Sequence, residues 1–176
     1  MSHKWIQDKK LAAEAWIPAE PPEPLRHVLV GGAGSGKTTT LLVIEALLDF
    51  FLGAESMRKS APTNTAARLI GGDTVHALFK LPRGTLLSKR GALSRPALKA
   101  MKKKWSGTTT CAIDEISVLP PQALHQIDHR SRQTTDKTTE VMGGMAVKIS
   151  GDVLQLPPVE APSLARPLDE RGYARM

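Results

Sequence analysis

Gly31-Gly32-Ala33-Gly34-Ser35-Gly36-Lys37-Thr38 decides the reading of this chain. A short apolar run, Val28-Leu29-Val30, leads into it. Leu41, Leu42, Ile44, Leu47 and Leu48 follow at helical spacing, up to Leu52. In a strand–turn–helix context the glycines let successive backbone N–H groups turn inward around phosphate oxygens, and the helix behind offers its positive end. Gly31, Gly32, Ala33, Gly34, Ser35, Gly36, Lys37, Thr38 and Thr39 then line a nucleoside triphosphate. The Lys37 ammonium reaches the β- and γ-phosphates and the Thr38 hydroxyl takes a place on Mg²⁺. Chance produces such a match in a chain of this length on the order of one time in a hundred.

Outward from the loop, short apolar runs alternate with helices, the signature of an α/β layer with a mainly parallel sheet. Strands are predicted at 27–30, 57–61, 109–113 and 146–150, and helices at 37–52, 64–70, 74–78, 94–104 and 121–132. Residues 1–24 read as a helix from Trp5 to Trp16 followed by a Pro-rich connector, 25–160 as the nucleotide-binding domain, and 161–176 as a poorly ordered tail rich in Pro and Arg. The second strand is unusual. Glu55-Ser56-Met57-Arg58-Lys59-Ser60 is polar where a central parallel strand would be apolar, so it lies near an edge or is degenerate.

A chain of 176 residues with 41% hydrophobic content suits one compact domain. No run of eighteen apolar residues predicts a membrane span, and the charged start precedes no signal-peptide core. Cys111 stands alone, which excludes an internal disulfide. The net charge of +7 points to a polyanionic partner. Part of it is the run Lys102-Lys103-Lys104, which ends a predicted helix where cations also suit the helix dipole.

Beyond the loop, Thr109-Thr110-Cys111-Ala112-Ile113 is β-prone and ends in Asp114-Glu115. On a strand end beside the phosphate loop, Asp114 holds Mg²⁺ through water and Glu115 polarises the attacking water. An acidic pair on a surface turn is the plain alternative. Gly151-Asp152-Val153-Leu154-Gln155-Leu156-Pro157-Pro158 follows another strand; it reads either as a turn with a Pro-ended loop or as a site where the Gln155 amide meets the γ-phosphate. In the block from Ala61 to His76, Thr63 or Asn64 suits a helix cap. The same loop also offers N–H groups and hydroxyls to a phosphodiester backbone. His76, Phe79 and Lys80 add stacking and charge for a single strand, while His76 fits a packed histidine equally well.

These blocks, in this order, resemble the 5′→3′ branch of superfamily-one DNA helicases, the PIF-type and RecD-like group. The matching stretches are GGAGSGKTTT at 31–40, SAPTNTAARLIGGDTVHALFKLP at 60–82, IDEISVLPPQALHQIDHRSRQ at 113–133 and GGMAVKISGDVLQLPPV at 143–159, about two-fifths of the chain. The resemblance implies a RecA-like P-loop NTPase domain, the first of two motor domains, working on ATP, Mg²⁺ and single-stranded DNA. By position, Lys37 and Thr38 take the phosphate and metal roles, Asp114 and Glu115 the metal and water roles, and Gln155 the γ-phosphate sensor. Pro62, Thr63, Asn64 and His76 fall in DNA-contacting segments. Gln7 stands near the place of an adenine-reading glutamine, with a poor match around it. The resemblance further implies repair, recombination and telomere maintenance in the nucleus, with the mitochondrion as a second compartment.

Several positions depart from the group's pattern. Asn64 replaces a usual Gly, Met142 replaces a usual aromatic residue, and the second motor domain, which supplies arginines to the γ-phosphate, is missing from this stretch. Removing such an arginine costs on the order of 10³–10⁵ in rate. A monomeric first motor domain with weak ATP binding and little turnover is the leading expectation. The alternatives are a non-hydrolysing nucleotide- or DNA-binding fragment, and a self-associating P-loop ATPase that borrows Arg130, Arg132 or Arg166 from a second copy.

Overall fold

Apolar runs fold into strands here because each can be covered by the helix that follows it. In the computed structural model, which describes residues 23–82 and 93–152, β1 (Arg26–Val30) leads through the glycine-rich loop into α1 (Lys37–Leu52). Next come β2 (Met57–Ala61), α2 (Asn64–Leu69), β3 (Asp73–Thr74), α3 (Val75–Leu78), α4 (Arg95–Lys104) and β4 (Thr110–Ile113). A 3₁₀ turn at Ile116–Val118 precedes α5 (Pro121–Thr135), a second at Val141–Gly144 follows it, and β5 (Ala146–Gly151) is the last element among the described residues. Among the described residues the strands form one five-stranded sheet in the order β1-β5-β4-β2-β3, and every pairing is parallel. This is a RecA-like α/β arrangement, a parallel sheet flanked by helices.

Strand alternation sorts the core into two layers. Cys111 and Ile113 of β4 and Val147 of β5 face a cluster closed by Val75, Leu78, Phe79, Met101, Trp105, Leu119, Ala123, Ile127 and Met142. Ala112 faces the opposite layer, with Leu41, Met57, Ala61, Ala66, Ala67 and Ile70. β4 is buried along its whole length, as a strand covered on both faces must be. Among the described residues β1 lies at the sheet edge, paired only with β5, and Val28 and Val30 are 61% and 53% exposed.

The polar second strand has its explanation in its neighbours. β2 pairs with β4 through Met57 to Ser60, but β3 is two residues long and covers only Ser60 and Ala61. The Arg58 and Lys59 end therefore lies near an edge. Lys59 pairs there with Glu45 of α1 at 2.6 Å, and Arg58 pairs with Glu55. β3 was not predicted; α5 runs three residues past its expected end. The predicted helix and connector in 1–24, and the tail at 161–176, lie outside the described residues apart from the last of that connector.

Candidate nucleotide and nucleic-acid site

Because all five strands run the same way, the loops that follow them open on one edge of the sheet, where α/β folds place their ligands. The glycine-rich loop rises from β1 and is tied to the end of β5 by Gly31 N–H donating to the Gly151 carbonyl at 3.2 Å. Gly34 and Gly36 take left-handed conformations, φ 74° and 83°, which close the loop onto α1. No side chain caps α1 at Gly36. The first N–H donors of that helix are thus left for an anion. The Lys37 ammonium lies over the loop, donating to the carbonyls of Gly31 at 2.5 Å and Gly32 at 2.7 Å.

Asp114 follows β4 and is buried, 7% exposed. Its N–H donates to Ser60 at 2.9 Å, and its Oδ1 accepts from the Ser150 hydroxyl at 2.7 Å. Glu115 is half-buried and left-handed, φ 53°, where the chain turns sharply into the 3₁₀ segment. β5 thus stands between the two halves of the site: Gly151 holds the phosphate loop and Ser150 holds the acid. Lys148, two residues before Ser150 on the same strand, is 4% exposed, and its Nζ has no hydrogen-bond partner. Burial pushes its pKa down, and the Asp114 carboxylate pulls it partly back.

The candidate DNA segments follow β2 and β3, whose pairing of Ala61 with Thr74 sets them side by side. Thr63 caps α2 by accepting from Ala66 N–H at 3.2 Å, and Thr74 caps α3 by accepting from Ala77 N–H at 3.2 Å. Pro62 is half-buried, and Asn64 and His76 are exposed. His76 is therefore not a packed histidine. Phe79 is a correction to the stacking role read from sequence: it is fully buried, its ring 5.2 Å from that of Trp105, because the short α3 turns that position into the core.

Two charges of the lysine run are already answered, Lys102 by Asp136 and Lys104 by Asp73. Of the arginines considered for donation to a second copy, Arg130 is buried and bonds Gln133 at 2.9 Å; Arg132 is paired with Asp128 at 2.8 Å. Arg166, Gln7 and Gln155 lie outside the described residues. Sequence reasoning missed Ser60, Ser150 and Lys148. The first two sit one position from strand ends that the motifs had already marked, and that placement was the available signal.

The sequence pattern of the PIF1-like helicase family matches residues 23–167. The chain is 32% identical over 139 residues to the ATP-dependent DNA helicase PIF6 of Trypanosoma brucei brucei, covering 76% of this chain and 17% of that protein. It is 36% identical over 134 residues to the ATP-dependent DNA helicase Pif1 of Bdellovibrio bacteriovorus, covering 74% of this chain and 29% of that one. Among solved structures, the Pif1 helicase from Bacteroides in complex with ADP-AlF3 and single-stranded DNA superposes with a TM-score of 0.60 at 32% identity. That match covers 86% of this chain and 33% of the other. The chain therefore spans less than a third of either curated relative and about a third of that structure.

Proposed function

The chain belongs to the PIF1-like helicase family, and on that premise we propose that it is the first motor domain of an ATP-dependent 5′→3′ DNA helicase, binding Mg²⁺·ATP and single-stranded DNA. One observation carries this reading: β5 holds the phosphate loop through Gly151 and the buried Asp114 through Ser150, so that nucleotide and acid are registered on a single strand. Lys37 takes the β- and γ-phosphates once a nucleotide draws its ammonium from the loop carbonyls. The free N–H groups of α1 hold the phosphate oxygens.

The donor set fits Mg²⁺. Among the described residues no group of three or more His, Cys, Asp or Glu gathers as a metal site. What the edge offers is a sparse, hard oxygen set, the Thr38 hydroxyl and the Asp114 carboxylate. Such a set suits an ion that keeps several waters and takes the rest of its shell from phosphate. When bound, that ion neutralises charge developing on the phosphates. Glu115 orients the attacking water, and Gln155 senses the γ-phosphate. Pro62, Thr63, Asn64 and His76 meet the DNA strand, with the capping hydroxyls fixing the loop and the exposed Asn64 and His76 reaching out.

ATP turnover by the purified chain, with and without single-stranded DNA, tests the reading alongside ATPγS binding. Binding that is lost in Lys37→Ala, with slow turnover and no unwinding, is expected of a first motor domain alone. Robust unwinding without a partner refutes the division of labour, and unaltered ATPγS binding by Lys37→Ala refutes the site.

A further inference from the structure

Lys148 has no counterpart in the roles assigned above. It sits mid-strand in β5, in register with His27 of β1 and Ala112 of β4, with an unpartnered ammonium in a 4% exposed side chain. A native protein rarely buries such a group without a reason. Strand alternation puts Lys148 on the same face as Ser150, whose hydroxyl is hydrogen-bonded to Asp114. Ala112 of β4, beside Lys148, likewise lies two residues before Asp114, which follows the end of that strand. Diagonal neighbours on adjacent strands lie about 7–8 Å apart, within reach of a four-carbon stem.

We propose that Lys148 is an internal counter-cation of Asp114, a positioning residue that competes with the divalent ion for that carboxylate and so weakens the site's hold on metal. The inference rests on the reading of Asp114 as a metal carboxylate. Ser150 occupies Oδ1, and a cation on the same face supplies charge that the carboxylate would otherwise take from Mg²⁺. A fixed unit charge beside a divalent ion, in surroundings less polar than water, repels it strongly enough to move binding by about tenfold. The resulting domain holds nucleotide with less help from metal than its donor set would otherwise give.

The experiment is a thermodynamic cycle on the full chain, with the affinity for fluorescent N-methylanthraniloyl-ATPγS measured in Mg²⁺ and in EDTA. The ratio of the two affinities reports the contribution of metal. In Lys148→Met and Lys148→Gln the ratio is expected to rise about tenfold, with the EDTA affinity unchanged, a pattern that a change in folding would not produce. The two variants share loss of charge and differ in polarity, so a common shift assigns the effect to charge. An unchanged ratio overturns the proposal. So does a fall in the EDTA affinity, which would make Lys148 a phosphate contact. If Asp114→Asn leaves the wild-type ratio intact, the metal reading of Asp114 fails first and takes the proposal with it.

Discussion

The two flanks of the sheet cover their apolar surface to very different degrees. Over β4 and β5, Cys111, Ile113 and Val147 lie under Phe79, Trp105, Leu119, Ile127 and Met142, all nearly or wholly buried. Around β1 and α1, the exposures run from 42% for Leu42 and Phe50 to 61% for Val28, with Val30, Val43, Leu47, Phe51 and Leu52 between. Of the sixteen residues of α1 only Leu41 is buried. The phosphate loop, the most specific motif in the sequence, thus hangs from the less covered flank. Its position depends on the β1–β5 register, the Gly31–Gly151 bond and Leu41, whereas Asp114 stands on the packed one. These side chains do not share one face: Val28 is in register with Ile149 and turns toward the α5 layer, whereas α1 packs through Leu41 on the layer of Ala112. The chemistry of the site and the burial of its parts follow separate rules.

The sharpest way to break the comparison is to remove a large side chain from the closed flank. Phe79→Ala empties a fully buried position against Trp105. Its expected cost is about 3–5 kcal/mol, read as a lower urea midpoint, with the chain left largely unfolded at 37 °C. A cost below about 1 kcal/mol would show that the closed flank is as loosely held as the open one.

Lys148→Met tests a polar weakness on the other face of β5, the face it shares with Ala112 of β4. Replacing this buried ammonium, which makes no hydrogen bond, by an apolar chain of similar length relieves its desolvation but takes a counter-charge from Asp114, so the net change is expected to stay within about 1 kcal/mol by urea unfolding at pH 7. A loss of about 3 kcal/mol or more would mean that the Asp114 carboxylate depends on this amine more than its burial costs.

Much of this architecture was legible because motif and pattern agreed. α1 and β2 fall within their expected limits, since a phosphate loop fixes one end of the helix and Gly53 the other, and a polar run still made a strand beside β4. β3 was illegible: Asp73-Thr74 carries no strand signal and becomes one only by pairing with Ser60 and Ala61. The exposure of β1 was equally hidden. Val28-Leu29-Val30 reads as buried, yet coverage of an edge strand depends on residues far away in the chain. In the candidate site, Asp114 and the loop were visible as residue types, but the Ser150 bond that registers them needed the β4–β5 pairing. Phe79 reads as a stacking residue and His76 as either stacking or packed, yet the short α3 sends Phe79, three residues on, inward and leaves His76 exposed.

Alkaline pH probes the closed flank through Cys111. Burial pushes its thiol from 9.0 up to about 12. Below pH 9 both folded and unfolded chains keep the proton, and stability is at its full value. Between pH 9 and 12 the unfolded chain loses a proton that the folded chain holds, so stability falls as pH rises, by up to about 1.4 kcal/mol per unit in the middle of that window. Lys148 acts in the opposite sense, because its lowered pKa leaves the unfolded chain with more protons below 10.5. Cys111→Ala separates the two. The stability gap between wild type and variant should shrink by about 1 kcal/mol between pH 9 and pH 10, and a constant gap would mean that solvent reaches β4.

The smallest effect is expected on the open flank and sharpens the contrast most. Phe51 is 50% exposed and meets Phe50 edge to face, ring centroids 5.0 Å apart. Half of its surface is already in water, so Phe51→Ser gives up little burial. The loss should stay within about 0.5 kcal/mol by urea unfolding, as for ordinary surface positions, while solubility improves because the apolar patch is broken. A loss approaching that of Phe79→Ala would show that residues outside the described ones close over α1. The phosphate loop would then rest on a flank as well packed as the one that carries Asp114.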